Sequence, residues 1–295
     1  MIEIIKLSEE LLIPSENGKM YPPQNKELHT IEYLFYKYLV NNNTFESKLS
    51  YLPVQWESII DNENFDTKSL NSLLDDLGKK EKKIFTISRL TGGPKVNINN
   101  CIMFTTGGTF NTPKKNNLSY VPLPLLASKY EDTPELEKEY LASYIGRNTH
   151  PIRVDLYKKF KRDSRFYVKN LDSMDSDFDL INQQKYIETI SKSYFSLCPR
   201  GFGPTSFRLY ESIELGSVPV YISDDFLLPF SDVIDWEKIC IFSNYKNIKN
   251  LKTKMVNILE SKKYSEMVEY GKYCNKKYFN NDFIIQYILD FVSKY

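Results

Sequence analysis

The residues best suited to chemistry gather in one stretch, CPRGFGPTSFRLYE, which runs from Cys198 to Glu211. An apolar run, YFSLCP, stops where Arg200, Gly201, Gly203 and Pro204 begin, and Thr205 and Ser206 then open a helix-forming segment. A loop of this kind, between a strand end and a helix start, offers free backbone N–H groups and hydroxyls to an oxyanion. The plain alternative is an ordinary helix cap beside a tight turn. Arg200 and Arg208 add planar guanidinium forks suited to phosphate or carboxylate, although an arginine at such a place also serves as a structural salt bridge. Glu211 lies five residues beyond Ser206, about one and a half helical turns, within reach of a sugar hydroxyl pair or of the loop itself.

A second group lies upstream. Gly146, Arg147 and Asn148 follow the run YLASYI, which puts Arg147 at the carboxyl end of a strand, where open α/β sheets bind ligands. His150 precedes Pro151 as a helix cap, and Arg153 sits one turn inside, facing phosphate or solvent. Asp224 and Asp225 close the strand VPVYIS, but adjacent acids on a strand project to opposite sides and make a poor metal centre. A general base must come from elsewhere: His29 has a reference pKa suited to accepting a hydroxyl proton, with Glu16, Glu27 and Glu32 as carboxylate alternatives.

The elements that must position these groups read as alternating strands and helices. In the first half the strand candidates are IEIIKL, KLSYLPVQW, KKIFTIS and CIMFTT, with helices at EYLFYKYLVN and LNSLLDDLGKK. YVPLPLL, with two prolines set among its apolar residues, fits a linker or a sheet edge. The rhythm then begins again with YLASYIG, PIRVDLYKKF, SRFYVKN, QQKYIETISKS, YFSLCP, SFRLYESIELG, VPVYIS and ICIF, and the last fifty residues read mainly as helices. The pattern predicts an α/β chain of two similar halves.

Composition removes several function classes. The 295 residues carry 39 basic against 38 acidic side chains and 41% hydrophobic residues, which supports a sizeable core and gives no polyanion partner, so no nucleic acid is expected. Four cysteines without C-x-x-C spacing and two histidines signal neither a zinc site nor a disulfide scaffold. No P-loop and no dinucleotide fingerprint occurs. There is no long apolar run, and Lys6, Glu9, Glu10 and Glu16 interrupt the first twenty residues, so the reading is a soluble cytoplasmic protein without signal peptide or transmembrane segment. Peripheral contact of the Lys-rich segment around Lys252, Lys254, Lys262 and Lys263 with an anionic membrane stays open.

The run SLCPRGFGPTSFRLYESIELGSVPVYISDDFLLPFSDVIDW, with SYIGRNTHPIR upstream, resembles the signature half of the exostosin-like glycosyltransferases, the GT47 family. The resemblance implies a GT-B fold of two Rossmann-like domains facing a central cleft. Residues 1–133 would be the acceptor side, 134–275 the nucleotide-sugar donor domain, and 276–295 a closing helix that packs back on the first. It implies inverting transfer from a UDP-sugar to a glycan hydroxyl, with no tightly bound cofactor and no clear need for a divalent cation. Carried onto this chain, Arg147, Arg153 and Arg200 approach the donor diphosphate, and Gly201, Gly203, Pro204, Thr205 and Ser206 surround it. Arg208 contacts the phosphate region and Glu211 holds the ribose; Arg147 and Arg200 assist catalysis, and His29 is the base candidate. The compact form is similar to transferases of large DNA viruses and microbes, which suggests viral or surface glycan synthesis, the cytoplasm of an infected host included. A noncatalytic glycan-binding or assembly protein on the same fold is the alternative.

Overall fold

The computed structural model describes residues 1–7, 30–54, 56, 67–90, 98–107, 118–127, 130, 136–171 and 180–295. It divides into two compact units, one of Met1–Pro124 with Phe279–Tyr295, the other of Leu125–Tyr278. Both are α/β and both are built on all-parallel sheets flanked by helices, in keeping with the α/β class and the Rossmann-like units expected.

The first unit holds the sheet β1-β2-β3-β4, formed by Ser50–Tyr51, Ile84–Ser88, Cys101–Thr105 and Ser119–Pro122. The middle strands β2 and β3 are buried along their whole length, so they read in sequence as mostly apolar runs, with small hydroxyls at Thr86, Ser88 and Thr105, rather than as alternation. β4 is the edge strand, the position that the prolines of YVPLPLL require, and the unit boundary follows it. The strand expected at IEIIKL reduces to a single bridge between Ile4 and Tyr51, and that at KLSYLPVQW to two residues ending before Pro53. Helices α1 (Ile31–Asn42), α2 (Thr67–Lys79) and α8 (Asn281–Val292) belong to this unit, with α8 against α1. Thr30 caps α1 by accepting the Tyr33 N–H at 3.1 Å. Phe35, Tyr51, Phe85, Phe104 and Phe291 meet edge-on or stacked at ring separations of 5.0–6.1 Å and fill the core between helix and sheet.

The second unit holds the sheet β6-β5-β7-β8-β9. Its strands are β5 Tyr140–Arg147, β6 Phe166–Leu171, β7 Ser193–Pro199, β8 Val218–Ile222 and β9 Ile241–Ser243. The helices are α3 (Pro151–Phe160), α4 (Leu180–Ser191), α5 (Phe207–Glu214), α6 (Leu251–Leu259) and α7 (Lys263–Tyr278). After β6 the chain crosses back over β5 to lay down β7, so the order of the strands reverses between β5 and β7. That reversal leaves a crevice at the carboxyl ends of these two strands, the place where open parallel sheets receive ligands. Pro151 opens α3 and Gly216 ends α5 with a φ of +68°, a left-handed conformation that glycine adopts without a Cβ clash.

Candidate functional site

The β5–β7 register runs to Ser143↔Ser196, after which β5 follows β6 and β7 follows β8. Two buried arginines stitch this split. The Arg153 side chain donates from Nε to the Arg200 carbonyl at 2.8 Å, from Nη1 to the Arg147 carbonyl at 3.1 Å and from Nη2 to the Pro199 carbonyl at 3.2 Å. Arg208 Nη2 donates to the Ile145 carbonyl, and its guanidinium lies 4.8 Å from the centre of the Tyr144 ring and 5.7 Å from that of Tyr186. Carbonyls that the diverging strands leave without ladder partners are satisfied in this way.

The glycines are where they are because the arginines come close. A Cβ on Gly201 would stand 2.9 Å from Arg153 Nη2 and 3.2 Å from Thr149 Oγ1. One on Gly146 would stand 2.7 Å from the Tyr144 hydroxyl and 3.1 Å from Arg208 Nη2. The shorter distance at each glycine is below what real carbon contacts show and the longer is tight, so the backbone needs glycine for space rather than for φ.

Around this stitched base the expected residues converge. Arg147 ends β5, Arg200 follows β7, and the loop of Gly201, Gly203, Pro204, Thr205 and Ser206 leads into α5. Gly201, Gly203, Pro204 and Thr205 are buried, whereas Phe202 between the two glycines is 74% exposed. Ser206 is the N-cap of α5 but makes no side-chain cap bond, and its Oγ is buried without a hydrogen-bond partner. The Thr149 hydroxyl is in the same condition. Arg200 is mostly buried, with Nη1 3.7 Å from the half-exposed Asp224 carboxylate and Nε without a partner. His150 caps α3 through Nδ1, which accepts the Ile152 N–H at 3.3 Å and so leaves the other ring nitrogen to carry the proton in the neutral form. Burial, then the charge of Arg200, pushes the His150 pKa down; Asp224 opposes and Arg153 adds to the lowering. The crevice thus gathers donors, with Asp224 as the acid paired to them.

Arg153 and Glu211 sit deeper than their sequence context suggests. Arg153 is 9% exposed and its fork is turned onto main-chain carbonyls. Glu211 is 4% exposed, and Tyr186 donates its hydroxyl to Oε2 at 2.5 Å. Burial raises the Glu211 pKa, against the hydrogen bond from Tyr186, the charge of Arg208 and the hydroxyl of Tyr130. His29, Glu16 and Glu27 lie outside the described residues. Glu32 belongs to the other unit, where Oε1 accepts the Arg89 N–H at 2.8 Å and Oε2 lies 3.4 Å from Arg89 Nε.

His150, Thr149 and Phe202 join the site from outside the expected set. The His-Pro pair signalled only a cap, and nothing in a linear sequence shows that the cap of α3 lies near Arg200. A cavity of about 710 Å³ lies on the β8–β9 side of the same unit, lined by Phe226, Trp236, Phe242 and Tyr270 among others, and shares none of the residues expected at the site. Among the described residues no cluster of His, Cys, Asp and Glu is arranged to hold a metal ion, and no helix is long and apolar enough to cross a membrane.

Residues 83–260, which include the whole crevice, match the Exostosin GT47 domain. The chain belongs to the exostosin GT47 family. Its curated relatives include the probable glucuronosyltransferase GUT1 of Oryza sativa subsp. japonica, 35% identical over 106 residues that make up 36% of this chain and 23% of that protein. The probable beta-1,4-xylosyltransferase IRX10 of Arabidopsis thaliana is 42% identical over 73 residues, 25% of this chain and 18% of the relative. The probable glycosyltransferase At3g07620 of the same plant is 31% identical over 150 residues, 50% and 30% of the two chains. The GT47 chain described here therefore spans less than a third of the length of each of these relatives. Among solved structures, a glycosyltransferase from Rickettsia africae ESF-5 aligns over 90% of this chain and 93% of its own, with a TM-score of 0.44 at 10% identity.

Proposed function

We propose that this GT47 chain transfers a sugar from a UDP-sugar donor to a hydroxyl of a glycan acceptor, with inversion at the transferred carbon. The observation that supports the reading is the crevice at the β5–β7 reversal, with Arg147 at the end of β5, Arg200 just beyond β7, Ser206 at the start of α5 and His150 at the start of α3. A diphosphate suits such a place, and the family supplies the diphosphate-bearing donor.

In this reading the donor diphosphate meets Arg147, Arg200 and the backbone and hydroxyl donors of residues 201–206. As the acceptor oxygen forms its bond to the anomeric carbon, the bond from that carbon to the diphosphate oxygen breaks and its electron pair stays on the leaving UDP. Arginines and helix N–H groups then stabilise the charge that grows on that oxygen. Arg153 and Arg208 act beneath the diphosphate by fixing the strand ends. Glu211 receives the ribose hydroxyls, which take over from the tyrosine hydroxyls that hold its carboxylate. The acceptor hydroxyl loses its proton to a base, with His29 as the named candidate, and no divalent ion is assigned protein ligands.

The experiment is a titration of UDP into the protein and its variants, followed by turnover measurements. Glu211→Ala is expected to weaken UDP binding while acceptor binding persists; unchanged UDP affinity in a folded variant would remove the ribose assignment. His29→Ala is expected to lower kcat far more than it changes donor affinity, and near-normal turnover would take His29 out of the role.

A further inference from the structure

Arg200 and Asp224 meet across the carboxyl ends of adjacent strands. Arg200 directly follows β7, its N–H bonded to the Ile222 carbonyl at 2.8 Å, and Asp224 lies two residues beyond the end of β8. The Arg200 carbonyl accepts from Arg153 Nε at 2.8 Å, which ties the main chain at this point to α3. The Arg200 side chain is 14% exposed and that of Asp224 52%, so the acid reaches in from solvent towards a mostly buried cation. Asp224 also lies close enough to His150 to oppose the effect of Arg200 on that ring. Thr149 and Ser206 contribute buried hydroxyls without partners, and the helix starts of α3 and α5 contribute their positive ends.

We propose that Asp224 is a resident anion: it occupies Arg200 while the diphosphate is away, and its carboxylate swings into solvent when the diphosphate arrives. This rests on the donor-site reading and adds a residue that sets how tightly the site holds donor and product. The exchange is favourable because a half-exposed carboxylate bonded through one oxygen at 3.7 Å gives up little, whereas a diphosphate can engage Arg200 and the unpartnered hydroxyls together. Return of Asp224 to Arg200 offsets part of the cost of losing UDP, so the same residue speeds product release.

The test measures binding of inorganic pyrophosphate, UDP and uridine by calorimetry to the wild type, Asp224→Asn and Asp224→Ser. Removing the competing charge should tighten pyrophosphate and UDP by about two- to fivefold, the range that a single partly screened ion pair supplies. Uridine, which lacks phosphate, should bind all three proteins alike, and the gain should shrink when sodium chloride is raised. Pyrophosphate and UDP affinities that stay the same or fall in both variants would overturn the proposal while leaving the donor site intact. Pyrophosphate tightened by the substitutions but no binding of UDP would uphold the exchange and sink the nucleotide reading. A wild type that binds neither would overturn both.

Discussion

Arg153 and Arg200 illustrate how far residue type alone can go. Both are arginines beside a predicted anion loop, and sequence places them in the same role. Geometry separates them: Arg153 spends its fork on three carbonyls, while Arg200 directs Nη1 to an exposed acid. Replacing Arg153 by Lys should therefore destabilise the protein by about 1–3 kcal/mol, since a single ammonium cannot satisfy three carbonyls, one fully buried and two partly so, set around a planar fork. Arg200→Lys should leave stability within about 0.5 kcal/mol yet weaken pyrophosphate binding by about tenfold. Urea denaturation alongside calorimetry distinguishes them, and equal stability losses would contradict the division of labour. Gly201→Ala drives a Cβ to 2.9 Å from the same immobilised Arg153 nitrogen. We expect a loss of about 1–3 kcal/mol with reduced UDP affinity, and an unchanged variant would show that the guanidinium can yield. The glycines were visible in the sequence as loop formers; that they make room for particular arginines was not, because the contact partner of Gly201 lies forty-eight positions earlier in the chain.

At the scale of elements, the second unit was the more legible. Strands β5, β7 and β8 are largely buried, the helix starts carry His150-Pro151 and Ser206, and Gly216 stops α5, so these boundaries had a local cause. The amino-terminal run IEIIKL pairs through the single bridge of Ile4 to Tyr51, because an apolar alternation needs a partner of matching length and β1 is two residues long. One ionisable group tests the packing at the opposite, amino-terminal end of the sheet. Lys138 donates to the Ser193 and Gly216 carbonyls at 2.9 Å each, joining the start of β7 to the end of α5. Burial, with Lys272 nearby, brings its amine down to about 8. An unfolded lysine holds its proton to about pH 10.4. Below pH 8 the folded protein bears the full cost of burying this charge, and that cost is relieved as pH rises towards about 10, where the unfolded chain binds the extra proton. The stability of the wild type relative to Lys138→Met should accordingly grow between about pH 8 and 10. A flat difference across that interval would show that the amine titrates normally.

For the whole molecule, the two parallel-sheet units and the family match over residues 83–260 agree with the α/β reading and with the exostosin resemblance of the signature segment. The composition left the cysteines without a role, and the structure explains why: all four are buried free thiols, and burial raises Cys198 to about 11. A thiol reagent at neutral pH should modify none of them in the folded protein and all four after unfolding; rapid native labelling would contradict the packing. What sequence could not supply was the approach of the α3 cap, His150, to Arg200, because that depends on the strand order β6-β5-β7 rather than on any linear motif. The most direct test of sugar transfer at this crevice is incubation of the purified protein with a panel of UDP-sugars, with and without glycan acceptors, following UDP release and product mass together. We expect acceptor-dependent UDP release matched by an acceptor one sugar heavier for at least one donor, abolished by Arg200→Ala. UDP affinity without any mass gain across the whole panel, from a folded protein, would contradict it.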